Sequence, residues 1–74
     1  MWLYNSPIGP IYIVPLNNGR FGMVYNGIIW ESCNTPEAEA DNVACQVTGC
    51  SDWDLFNAYG CFVPSDLSEW EKVR

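Results

Sequence analysis

The chain has 74 residues, with nine acids against three bases and no histidine, for a formal net charge of -6. So short a chain makes one domain, and with 49% apolar and 15% aromatic residues it lies outside the composition of disordered proteins. Net negative charge repels phosphate backbones and anionic membranes, so neither is an expected partner, and a basic protein surface is the natural complement.

The first half reads as strands. Ile11-Tyr12-Ile13-Val14 is β-branched and aromatic, with Pro7, Pro10 and Pro15 around it predicting an edge or a short run. Asn17-Asn18-Gly19 predicts a turn. Phe21 to Tyr25 then alternates, and Asn26-Gly27 is the preferred pair for a two-residue type I′ hairpin, since both positions need positive φ. That hairpin sets Tyr25 opposite Ile28 and Met23 opposite Trp30, so Phe21, Met23, Tyr25, Ile28 and Trp30 are expected on one core face. The result is a three-stranded antiparallel meander.

A helix follows from Thr35, an N-cap residue, with Pro36 at the first helical position and Glu37 and Glu39 at the positive end of the macrodipole. Gly49 is the predicted stop. Ala40, Val43, Ala44 and Val47 make a narrow apolar stripe, with Glu37, Asp41 and Asn42 turned away from it. Ser51 to Phe56 predicts a turn with an aromatic anchor, Tyr59 to Val63 a fourth strand, and Ser65 to Trp70 a short capped turn. The expected fold class is therefore α+β, a sheet of three or four antiparallel strands packed by one helix.

Charge is distributed unevenly. Residues 1–30 hold one charged side chain, Arg20, whereas residues 31–71 hold all nine acids and no base. Glu37 and Asp41 stand four apart as like charges, a spacing where helices gain from opposite ones. Glu31, Glu37, Glu39, Asp41, Asp52 and Asp54 are accordingly the candidate partner-binding residues. Against this stands the plainer alternative of a solvated acidic face.

Gly19-Arg20-Phe21, Asn26-Gly27, Thr35 to Val43, Thr48-Gly49, Trp53-Asp54 and Asp66 to Trp70 occur in an order that resembles a group of small uncharacterised proteins of bacteria and phages. Those proteins pair a glycine-rich hairpin with a Ser/Thr-Pro-Glu-Ala helix and a Thr-Gly turn leading to Trp-Asp. Glu39 stands here where a small residue is usual. In size and charge the chain is similar to anti-CRISPR proteins that act against type I surveillance complexes by imitating DNA. That similarity implies an inhibitor of a host nucleic-acid-binding complex, working in the bacterial cytoplasm. The order of elements also resembles the plant AP2 and integrase N-terminal DNA-binding modules, whose sheets present several Arg and Lys where this chain has only Arg20.

Other chemistry is thinly represented. The first residues show neither a signal peptide nor a membrane span, which predicts a cytosolic protein with Cys33, Cys45, Cys50 and Cys61 as free thiols. Cys45 and Cys50 reach only the edge of zinc-binding spacing and no histidine is available, so no metal and no cofactor are expected. Without a histidine, a nucleophile–base pair or a phosphate-binding glycine loop, the chain is read as a non-enzyme. A redox or disulfide-stapled protein is the rival reading of the cysteines.

Overall fold

The computed structural model describes residues 1–74. Its framework is a five-stranded antiparallel sheet in the order β4-β3-β2-β1-β5, from β1 (Trp2–Ser6), β2 (Gly9–Pro15), β3 (Phe21–Tyr25), β4 (Ile28–Cys33) and β5 (Glu71–Lys72). Helix α1 (Pro36–Cys45) lies on one face, followed by the single turn α2 (Ser51–Asp54) and a 3-10 turn at Leu67–Glu69. The α+β class follows the sequence. The extra strands come from the two ends of the chain, β1 pairing with β2 on one side and β5 on the other.

Turn chemistry explains the meander. Asn26 and Gly27 take φ of 55° and 77°, both positive as a type I′ hairpin requires. Tyr25 pairs with Ile28 as expected. Farther along, the register slips: Val24 pairs with Ile29 but Met23 pairs with Glu31, leaving Trp30 as an extra residue in a β-bulge. Met23 therefore does not face Trp30. Past a bulge the alternation of faces is reversed, so Glu31 and Cys33, not Trp30, share the helix-facing side with Met23 and Phe21. Strand β2 is central, not an edge, because Pro10 and Pro15 fall at its ends and leave Ile11 and Ile13, both fully buried, to pair on either side.

The core lies between this face and the helical segments. It gathers Ile11, Ile13, Met23, Ala40, Val43, Cys50, Trp53 and Trp70. Trp53 is its largest fully buried member. Its indole Nε1 donates to the Val43 carbonyl at 2.9 Å, while its ring stacks on Phe56 at 5.9 Å and meets Tyr4 edge-on at 6.0 Å. Such geometry satisfies the polar end of the ring and uses its apolar faces.

Helix α1 starts as its sequence dictates, with Thr35 Oγ1 accepting from the Ala38 N–H at 3.1 Å and Pro36 in the first turn. It ends earlier than Gly49. Gln46 takes the left-handed conformation, with φ of 57°, and its side-chain amide donates to the carbonyls of Trp53 at 2.7 Å and Phe56 at 2.6 Å. The early end leaves Val47 outside the apolar stripe and 58% exposed. The segment Tyr59–Val63 forms no strand but an irregular loop, in which Tyr59 and Phe62 are exposed. No helix is long and apolar enough to cross a membrane.

Candidate functional site

The six candidate acids separate into two sets. Glu37, Asp41 and Asp52 are exposed, the first two on one face of α1 and the third in α2. The other three are drawn inward. Asp54 is half-buried, and its carboxylate accepts from the backbone N–H groups of Thr48 at 3.0 Å and Gly49 at 2.8 Å and from Thr48 Oγ1 at 2.8 Å. It ties the α1–α2 connection together, so its charge is engaged within the fold. Asp66, Glu69 and Glu71, outside the candidate set, are exposed as well.

Glu39 requires the larger correction. It is fully buried, and so cannot form part of a docking surface. Position 39 falls on the side of α1 that also carries Ala40 and Val43, and this side packs on β2, β3 and β4. Neither carboxylate oxygen of Glu39 has a hydrogen-bond partner. Facing it are the two side chains that the bulge turns inward: one donor atom each from Glu31, Cys33 and Glu39 lies within 4.8 Å of the others. Asn42, expected to point outward, instead directs its side-chain amide at this group. Its Nδ2 is 3.3 Å from each oxygen of Glu31 and 3.4 Å from Cys33 Sγ.

The electrostatics follow from this enclosure. Burial, reinforced by the Glu31 carboxylate, pushes the Glu39 carboxyl up to about 8, which favours its protonated form. Burial, then the neighbouring Glu39 and Glu31, pushes the Cys33 thiol up to about 12. Arg20 is the nearby positive charge. Its guanidinium is held by the Ser32 hydroxyl at 2.8 Å, the Ser32 carbonyl at 2.7 Å and Asn34 Oδ1 at 2.6 Å, beside the strand that carries Glu31 and Cys33. Arg20 thus serves a structural contact and is not free to reach for phosphate.

The sequence reading missed the Glu31–Cys33–Glu39–Asn42 group. A signal was present in part, since residues two apart on a strand and three apart on a helix each share a face. Without the bulge, however, Glu31 and Cys33 belong to the opposite side of the sheet. Cys50 is buried, Cys45 and Cys61 are exposed, and all four cysteines are free. A further exposed feature is apolar: Leu55, Tyr59 and Phe62 are 84%, 94% and 69% exposed. No family model, curated protein or solved structure matches the chain.

Proposed function

We propose that the protein is a non-enzymatic binding protein whose acidic surface imitates a short stretch of nucleic-acid backbone and blocks a nucleic-acid-binding site of a bacterial protein complex, a type I CRISPR surveillance complex being the favoured target. The observation that carries this reading is the separation of charge. Glu37, Asp41 and Asp52 stand exposed, with no base between residues 31 and 71 to neutralise them. The partner would be a basic surface in the cytoplasm of the host cell.

Size bounds the imitation. The molecule measures 34 × 23 × 18 Å, and one DNA strand carries about ten phosphates over the longest of these lengths at ~3.4 Å per charge. Six of the nine acids, namely Glu37, Asp41, Asp52, Asp66, Glu69 and Glu71, are exposed. They match a few nucleotides of one strand and not a duplex. The βββα DNA-binding alternative loses support, because Arg20, the one base of the strand-rich half, is already bound to Ser32 and Asn34.

The test is competition. Binding of target DNA by a purified type I surveillance complex is followed by mobility shift while the protein is added, at low and at high salt. Displacement of DNA at low salt, weakened as salt screens the charges, is expected. A Glu37→Gln/Asp41→Asn/Asp52→Asn variant that keeps its fold is expected to lose the effect. Undisturbed DNA binding rejects this target, and undiminished inhibition by the variant rejects the acidic surface in favour of Leu55, Tyr59 and Phe62.

A further inference from the structure

A buried carboxyl with no partner is costly in either state, since ionised it needs a counter-charge and protonated it needs hydrogen bonds to offset its lost hydration. Glu39 has neither. It also has neighbours of a particular kind. Glu31 and Cys33 come from β4 and Glu39 from α1, so a strand and a helix converge on one point, with their donor atoms within 4.8 Å of one another. Two carboxyl groups and a thiol meeting where Glu39 is buried and Glu31 and Cys33 are half-buried make a poor hydrogen-bonding group and a good ligand set.

We propose that Glu31, Cys33 and Glu39, with the side-chain amide of Asn42 as fourth donor, form a closed site for a single divalent transition-metal ion of zinc type that pins helix α1 to strand β4. The donor set selects the ion. Carboxylate and amide oxygens alone would suit magnesium or calcium, but a thiolate favours zinc and its close analogue cobalt(II). Four-coordinate zinc binds oxygen at about 2.0–2.2 Å and sulfur at about 2.3 Å, which places neighbouring ligand atoms about 3.3–3.7 Å apart. The present separations, at most 4.8 Å, shorten by about 1 Å on closing around the ion.

Asn42 fits the same geometry. Its Nδ2 already sits 3.3 Å from Glu31 and 3.4 Å from Cys33. Half a turn of the amide exchanges nitrogen for oxygen at that place and converts a hydrogen-bond donor into a ligand. On metal binding the Cys33 thiol and the Glu39 carboxyl each release a proton to solvent, as ligands must. The three anionic ligands and the dication leave one negative charge, and the Arg20 guanidinium on Ser32, between Glu31 and Cys33, lies where it offsets this.

The experiment uses the full chain, freed of metal with a chelator and titrated with cobalt(II), followed by competition with zinc(II). Expected are a thiolate-to-cobalt charge-transfer band and intense tetrahedral d–d bands that saturate at one equivalent, disappear on addition of zinc, and accompany a rise in melting temperature. Cys33→Ser and Glu39→Gln are each expected to weaken zinc binding by at least about 100-fold, since even residues that only orient ligands cost 10–100-fold. Glu39→Gln is nearly isosteric, and its metal-free melting temperature beside that of the parent separates a loss of binding from a loss of stability. Cys45→Ser/Cys61→Ser, which removes the two exposed thiols, is expected to bind as the parent does. Absence of the charge-transfer band at one equivalent overturns the proposal, and so does a band that survives Cys33→Ser.

Discussion

At Glu39 a single side chain sets the pH response of the metal-free protein. Its carboxyl is raised from 4.5 to about 8 by burial, with the Glu31 carboxylate adding to the effect, so the folded state binds this proton more tightly than the unfolded chain. The stabilising contribution is therefore complete below about pH 4.5 and is lost as pH rises through about 8, at up to about 1.4 kcal/mol per pH unit between. Urea denaturation of chelator-treated protein at about pH 5 and about pH 8 is expected to show a lower midpoint at the higher pH. Glu39→Gln is expected to flatten this difference, and an equal slope in the variant would assign it to other groups. The thiols give a second reading at this scale. Cys45 and Cys61 are exposed, whereas Cys33 is half-buried with its thiol pushed up to about 12 and Cys50 is buried. A disulfide reagent is expected to titrate two thiols of the native protein at once and the other two on unfolding. Fewer than four in denaturant would favour the disulfide-stapled alternative.

Among the elements, those with local chemistry were legible before the structure. Thr35-Pro36 marks the start of α1, and Asn26-Gly27 marks the hairpin, because capping and positive φ are decided within a few residues. Thr35→Ala removes the bond to the Ala38 N–H and is expected to cost about 1 kcal/mol, measured as a lower denaturant midpoint with an unchanged slope. The end of α1 was not legible. Gly49 looked the natural stop, yet Gln46 ends the helix because its amide reaches the Trp53 and Phe56 carbonyls, contacts that exist only once α2 has folded back. The bulge was hidden for the same reason. Nothing in Ile28 to Cys33 announces an extra residue, and its effect is to turn Glu31 and Cys33 toward a helix whose own inward acid, Glu39, looked like one more surface charge. Glu31 and Glu39 are thus drawn inward by contacts between sheet and helix, and Asp54 by the bonds it accepts from Thr48 and Gly49.

For the molecule as a whole, charge acts over its full width. At about 0.01 M salt the screening length is roughly 30 Å, comparable with the 34 Å long axis, so the carboxylates of a chain with net charge -6 repel one another throughout. At about 0.1 M it is roughly 10 Å, and only neighbours interact. The melting temperature is accordingly expected to rise between these conditions, because self-repulsion disfavours the compact state. A fall would show that attractive pairs outweigh the repulsion. The same screening is expected to weaken docking, so stability and binding should move in opposite directions with salt. That opposition separates a partner-binding acidic surface from a merely solvated one, which has stability to gain and nothing to lose.

The extra residue in β4 also determines which losses of sequence the sheet can absorb. Trp30 has no partner across the ladder, so its deletion leaves Val24 opposite Ile29 and Met23 opposite Glu31, and every side chain beyond it keeps its face. Deletion of Ser32 instead moves Cys33 to the other side. Insertions and deletions along this strand therefore obey a parity rule, and the bulge is where an odd change restores a regular strand.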